Sequence, residues 1–280
     1  MNKPVQTLTL LTLLFAANVA LAQAHAQTHV VAHDYSFTSP KKLETGYVTL
    51  QFTNDGRELH HLQLARLQEG VSLEKFTAAL KQGEQAALPL IEFVGGVGLV
   101  PPGGHASTTV YLEKPGTYVE LCFVPDANGV PHLALGMLQP VTVVVSSDPS
   151  QAEAPEADLV VDMKDFSYLM AARVTAGKQV WQVINQGPQP HEMIVGKLQK
   201  GKTMDDVMAY LQNGSQGLPP IELMGGAQAI AAGQSSFINL DLKPGQYVAI
   251  CFIPDPASGK PHVALGMLSP FTVTTAVASR

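Results

Sequence analysis

The sequence predicts an all-β protein: two tandem β-sandwiches, each interrupted by a short helical insert. Three observations lead there. The chain repeats itself with a period of about 130 residues, too long for a solenoid unit and right for a duplicated domain. Each copy contains short runs of alternating apolar and polar residues bounded by turn residues, the mark of half-buried strands. Each copy also closes on one cysteine, one histidine and one methionine in the same order. With 280 residues, 46% of them hydrophobic, the chain is long enough to bury two cores.

The repeat can be followed from end to end. Asp34-Tyr35-Ser36-Phe37 matches Asp165-Phe166-Ser167-Tyr168, and Pro89-Leu90-Ile91-Glu92 matches Pro220-Ile221-Glu222. Cys122-Phe123-Val124-Pro125-Asp126 matches Cys251-Phe252-Ile253-Pro254-Asp255, and Pro131-His132-Leu133-Ala134-Leu135-Gly136-Met137 matches Pro261-His262-Val263-Ala264-Leu265-Gly266-Met267. The copies span residues 28–146 and 158–276. The polar, proline-bearing segment 147–157 joins them.

Ahead of the first copy, Met1-Asn2-Lys3 is followed by an uncharged apolar stretch from Leu8 to Ala22 that ends in small residues, the pattern of an export signal over residues 1–22. The stretch is too short and weakly flanked for a membrane span, and no cysteine lies near its end to accept a lipid. A soluble exported product, periplasmic or secreted, without membrane insertion, is expected. The net charge of −6 on a chain only 14% charged excludes nucleic acid as a partner.

Within each copy, Tyr47 to Thr53 and Lys178 to Ile184 alternate as strands, with Leu50 and Phe52 standing where Trp181 and Val183 stand in the second copy. These are core positions, so Trp181 is read as packing. Strands over Ser107 to Leu112 and Tyr118 to Cys122 flank Lys114-Pro115-Gly116, and Ser236 to Leu242 and Tyr247 to Cys251 flank Lys243-Pro244-Gly245, each pair a hairpin turned by Pro-Gly. Leu73, Phe76 and Leu80 recur at helical spacing after the N-cap Ser72, as do Met204, Val207, Met208 and Leu211 after Thr203. The methionines of the second helix are read as its packed face.

Two cysteines in an exported protein first suggest a disulfide. Cys122 and Cys251, however, occupy the same place in their own repeats, each ending a strand, with His132 and Met137 or His262 and Met267 following. An upstream histidine completes each group, in Asn54-Asp55-Gly56-Arg57-Glu58-Leu59-His60 and Asn185-Gln186-Gly187-Pro188-Gln189-Pro190-His191. Two imidazoles, a thiolate and a weak thioether are the donor set of a mononuclear copper electron-transfer centre.

The pattern of Asn-x-Gly-x-x-x-His, a helical insert, a Pro-Gly hairpin with Tyr before Cys, and Pro-His-x-x-x-Gly-Met resembles the cupredoxins, over nearly all of the chain after the signal and twice. The resemblance implies a Greek-key cupredoxin-like sandwich in each copy, with type 1 copper at one end. By matching positions it implies copper ligands His60, Cys122, His132 and Met137 in the first copy and His191, Cys251, His262 and Met267 in the second, one copper ion each. Superposing Asn54 on Asn185 selects His60 over His61, which falls on Glu192 and is expected to be exposed or near the outer rim. Nine residues separate Cys122 from His132 and ten separate Cys251 from His262, ligand loops most similar to the type 1 domain of copper nitrite reductases.

The enzymes among two-domain relatives use a second copper centre built from extra histidines, often His-x-His or a histidine beside the type 1 cysteine. Here Leu121 and Phe123 flank one cysteine, Ile250 and Phe252 flank the other, and no His-x-His occurs. His25, His29, His33 and His105 have no counterpart in the second copy. The expectation is a non-enzyme: one-electron transfer with a redox partner protein, His132 and His262, exposed on the loop side, being the electron entry or exit points by resemblance. Copper storage, delivery or tolerance without redox turnover is the alternative.

Overall fold

The computed structural model describes residues 25–214 and 218–275; the expected signal at 1–22 lies outside them. In the first repeat the strands are β1 (Ala26–His33), β2 (Ser36–Thr38), β3 (Lys42–Glu44), β4 (Gly46–Asn54), β5 (His60–Leu67), β6 (Ile91–Val100), β7 (His105–Leu112), β8 (Gly116–Leu121) and β9 (Leu138–Val144). The second repeat runs β10 (Leu159–Lys164), β11 (Ser167–Leu169), β12 (Arg173–Thr175), β13 (Gly177–Asn185), β14 (His191–Leu198), β15 (Ile221–Ile230), β16 (Ser235–Leu242), β17 (Gly245–Ile250) and β18 (Leu268–Thr274). Helices α1 (Leu73–Leu80) and α2 (Glu84–Ala87) follow β5, and α3 (Met204–Gln212) follows β14.

Each repeat is a two-sheet sandwich. In the first, β2-β1-β4-β7 faces β3-β9-β8-β5-β6, and the second repeats this order. β4 shows why it forms: buried and half-exposed residues alternate strictly from Gly46 to Asn54, placing Val48, Leu50 and Phe52 in the core. Trp181 and Val183 fill the equivalent space, fully buried, and the indole N–H of Trp181 donates to Gln179. The hairpin tyrosines have a second task. Tyr118 and Tyr247 are buried, and their hydroxyls donate to the carbonyls of Lys114 and Lys243, tying each Pro-Gly turn to the strand that ends at the cysteine.

The helices cover the outer face of the second sheet. Ser72 caps α1 and Thr203 caps α3 in a reciprocal pair with Asp206. Phe76 packs with Ala65, Leu67, Val119 and Leu121, and Val207 with Ile221, Val248 and Ile250. Strands β5 and β14 are thereby buried on both faces. Along α3, Met204, Val207 and Leu211 face the sheet, whereas Met208 is 40% exposed. The spacing predicts all four on the packed face; Met208 falls beside that stripe, four positions from Met204.

Both sheets run through the two repeats without a break. β7 pairs with β16 and β6 with β15, giving one eight-stranded and one ten-stranded sheet. At these seams Thr108 pairs with Ile238 and Val97 with Ala227, and each residue is the repeat counterpart of its partner. The repeats are therefore related by a local two-fold axis, as in an isologous dimer made from one chain. Gln63 reaches across to the carbonyl of Ala229, and the Thr108 hydroxyl to that of Gly226. Pro149–Ala152 form a 3₁₀ turn in the joining segment, and Gln151 lies against Gly46 and accepts from the Ala26 amide. Among the described residues no helix is long and apolar enough to cross a membrane.

At the seam a Cβ on Gly98 would stand 2.8 Å from the backbone of Gly225 in the other repeat. Gly98→Val is expected to destabilise the protein by about 1–3 kcal/mol through overpacking, read as a lowered urea midpoint. Parental stability would contradict this close packing.

Candidate metal centres

Each centre is assembled by the loop that the Asn-x-Gly motif folds. Asn54, fully buried at the end of β4, donates to the carbonyls of Glu58 and Val100 and accepts from the Gly56 amide, all at 2.8–2.9 Å. Asn185 makes the same three bonds to Gln189, Ile230 and Gly187. The loop is thus pinned between the two strands it joins, and the histidine at the start of the next strand is set in direction. The glycine is a matter of space: a Cβ on Gly56 would sit 2.5 Å from Asp34 Oδ1 and 2.7 Å from His60 Nε2. Gly187 stands equally close to Asp165 and His191.

The two imidazoles and the thiol then converge. His60 Nδ1 and His132 Nδ1 are 3.0 Å apart, and Cys122 Sγ lies 3.8 and 3.6 Å from them. In the second repeat His191 Nδ1 and His262 Nδ1 are 3.1 Å apart, with Cys251 Sγ 3.5 Å from His262. The three donor atoms of each group lie within 4.8 Å of one another, and all six side chains are buried. Both cysteines are free, in accord with the expectation that they form no disulfide. Met137 and Met267 are fully buried in the same core clusters as their cysteines. Their backbones close each site, the methionine amide donating to the histidine carbonyl and its carbonyl accepting from the cysteine amide.

The outward nitrogens fix the protonation of the rings. His60 Nε2 bonds Asp34 at 3.2 Å, His132 Nε2 bonds Glu58 at 2.8 Å, His191 Nε2 bonds Asp165 at 2.9 Å and His262 Nε2 bonds the side-chain oxygen of Gln189 at 3.0 Å. Gln189 is held that way round because its amide nitrogen donates to Asp165 and Asp255. Every outward partner is an acceptor, so Nε2 carries the proton and the Nδ1 lone pairs face one another. Burial lowers the pKa of His60, His191 and His262, which keeps these rings neutral. Two converging lone pairs beside a sulfur in a dry site are satisfied by a cation, and the N, N, S set with a thioether nearby suits copper. Burial pushes the Cys122 thiol up to about 12 and that of Cys251 higher still, so a bound metal would be what makes the sulfur a thiolate.

Sequence reading passed over the partners of the outward nitrogens. Asp34 and Asp165 belong to the Asp-aromatic-Ser-aromatic repeat that had served only to align the copies. The aromatic residue next to each aspartate has a left-handed backbone, Tyr35 at φ 66° and Phe166 at φ 64°, which is uncommon for such side chains. That turn lays each ring edge-on against the downstream histidine, with centroids 5.1 Å from His132 and 5.2 Å from His262. Recurrence of the motif beside a histidine site was the signal available in the sequence.

Two expectations are corrected. His61 is buried, on the face of β5 away from the centre, where it packs edge-on against Phe123 beneath the helix-covered layer. Its Nε2 accepts from the Phe123 amide at 2.7 Å, and Glu192 accepts from the Phe252 amide at the same distance. Both hold the residue after the cysteine. Burial lowers the His61 pKa to about 3 and raises that of Glu192 to about 7. The second correction concerns His132 and His262, which are not at the surface: the Asp-aromatic turn and Glu58 or Gln189 cover them, and both have no exposed area.

No family model and no curated protein matches the chain. Among solved structures, similar chains include reduced auracyanin from the photosynthetic bacterium Roseiflexus castenholzii, 22% identical over 43% of this chain and 98% of that one, with a TM-score of 0.31. Auracyanin A, a blue copper protein of Chloroflexus aurantiacus, is 20% identical over 43% of this chain and 100% of its own, at 0.30. A copper-containing nitrite reductase from Thermus scotoductus is 12% identical over 89% of this chain and 61% of its own, at 0.25. At such scores the likeness carries no weight of its own, and the reading of the centres rests on their geometry.

Asn185→Ala removes the anchor of the second centre's loop and takes one side-chain bond each from the Gln189 and Ile230 carbonyls and the Gly187 amide. A loss of at least about 2 kcal/mol in urea unfolding is expected, since a buried group left short of a bond costs about 1–3 kcal/mol; a loss below about 0.5 kcal/mol would show that the loop is held by other means. The chain has the architecture of two tandem cupredoxin-like sandwiches, and its two His/Cys/His groups fit type 1 copper centres.

Proposed function

We propose that this chain is an exported copper protein that transfers single electrons, with one type 1 copper ion held in each repeat. The observation that carries the reading is the convergence of two imidazole Nδ1 atoms and a buried cysteine sulfur, within 3.0–3.8 Å in the first repeat and repeated in the second. His60, Cys122 and His132, with Met137, would hold one ion; His191, Cys251 and His262, with Met267, would hold the other. Copper supplies a one-electron couple, with thiolate and thioether suiting Cu(I) and imidazole suiting Cu(II). The chain holds the donors in place from outside through Asp34, Glu58, Asp165 and Gln189, and keeps water from the ligand atoms. Donors tied before binding have little to rearrange when the charge changes.

Export is supported by the apolar segment ending at Ala22. A carrier rather than an oxidase or reductase is supported by the placement of the spare histidines. His29, His33 and His105 are exposed on the outer face of the first repeat's β1-β4-β7 sheet, and Val160, Lys164 and Ser235 stand in their places in the second. A redox protein is the partner this reading requires.

The mature chain loaded with Cu(II) is expected to take up two ions and show an intense thiolate-to-copper band in the visible. Cys122→Ser and Cys251→Ser should each remove one ion and about half of the band, and the double variant all of it. Absence of copper uptake, or a band that survives the double change, would overturn the ligand assignment. Copper bound without reversible reduction would favour storage or delivery.

A further inference from the structure

The two repeats differ at one contact with a candidate ligand. The outward nitrogen of His132 is held by a carboxylate, Glu58 at 2.8 Å, and that of His262 by a neutral amide oxygen, Gln189 at 3.0 Å. These residues occupy the same place in the Asn-x-Gly-x-x-x-His loop, two positions before the upstream histidine. The neighbouring aromatic differs in step. Tyr35 donates its hydroxyl to the second oxygen of Glu58 at 3.2 Å, while Phe166, its counterpart, has no hydroxyl to give. Gln189 is instead oriented by donating to Asp165 and Asp255. Tyr35 with Glu58 in the first repeat, and Asp165 and Asp255 with Gln189 in the second, are each a closed hydrogen-bonding arrangement.

An acceptor on the outward nitrogen acts through the ring. A carboxylate draws on the N–H proton, makes the opposite nitrogen a stronger donor, and places negative charge near the ion. Both effects favour the more highly charged state of the metal, by the rule that a nearby opposite charge favours the charged form. A neutral amide oxygen does the first weakly and the second not at all.

We propose that Glu58 and Gln189 are the positioning residues that set the two centres at different potentials, Glu58 holding the first toward Cu(II) so that an electron shared between the centres rests in the second repeat. This rests on the copper electron-transfer reading above. Other charges differ between the repeats as well, among them Asp55 and the buried Glu120, where the second repeat has Gln186 and Ala249. Arg57 reaches Asp34 from a side chain that is 93% exposed, where solvent screens it, and Pro188 replaces it in the second repeat. Glu192 lies buried beside Cys251, where the first repeat has His61. None of these bonds the outward nitrogen of the downstream histidine, and all stay constant when each centre is compared with its own variant.

The test uses single-centre proteins, Cys251→Ser to read the first centre and Cys122→Ser to read the second, each titrated by spectroelectrochemistry with copper content measured in parallel. The first centre should have the lower potential. Glu58→Gln should raise the Cu(I)/Cu(II) ratio of the first centre about tenfold at a fixed applied potential, and Gln189→Glu should lower that of the second as much, each about 59 mV for a one-electron couple. Copper content and the visible band should be retained in Glu58→Gln, which is of equal size and keeps an acceptor on the ring; because Gln189→Glu gives up the amide bonds to Asp165 and Asp255, the Glu58→Gln shift decides if that variant loses copper. Potentials that do not move, move in the opposite sense, or rank the first centre above the second would overturn the proposal. A change in copper content without a change in potential would also overturn it, showing a purely structural role. A parent that binds copper without a visible band, or takes up none, would instead mark failure of the copper reading itself.

Discussion

Everything distinctive about this chain depends on the hydrogen bonds that hold imidazole rings from their outer edges. A buried histidine is a conflicted group: one nitrogen donates, the other accepts, and both need partners. Here Asp34, Glu58, Asp165 and Gln189 take the donors, and this leaves the acceptors pointing inward at each other and at a thiol. The inward arrangement is unfavourable without a cation. The fold supplies the stability that tolerates it, through two large β cores and a loop anchored by a buried asparagine.

That anchoring explains residue choices that look unrelated. Asn54 and Gly56 serve the same end, one by gripping the backbone and the other by leaving room for the ligand ring and its aspartate. Tyr118 secures the hairpin leading into Cys122, and the His61 imidazole holds the amide just after it. In the second repeat a carboxyl group, Glu192, does the work of that imidazole. The role is an acceptor for one backbone N–H, and the chemistry of the acceptor is free to vary.

Duplication has produced more than two copies of a site. Because β7 pairs with β16 and β6 with β15 about a local two-fold axis, the edges that each sandwich would expose are sealed against the other repeat. The centres therefore sit in one continuous pair of sheets. Within this near-symmetry the differences stand out against a constant background: Glu58 against Gln189, Tyr35 against Phe166, His61 against Glu192. Asymmetry in the contacts around the candidate ligands is what distinguishes two centres with the same donor residues.

By itself the sequence determined the duplication, the strand character of each copy, the caps of α1 and α3, the core position of Trp181 and the grouping of His60, Cys122 and His132 with their counterparts, because periodicity, turn chemistry and repeated donor residues are local or self-referring signals. Only the tertiary structure decided what surrounds those donors. Asp34 and His60 lie 26 positions apart and Glu58 and His132 lie 74 apart, and nothing in the spacing says that they touch. Burial of His61 follows from the helical layer that covers β5, and burial of His132 from an aromatic turn whose backbone conformation no residue-type rule announces. The continuous sheets follow from edge-to-edge pairing between repeats. Which nitrogen of a ring faces inward is a property of partners brought from elsewhere in the chain, and that choice makes four histidines and two cysteines into two candidate metal centres.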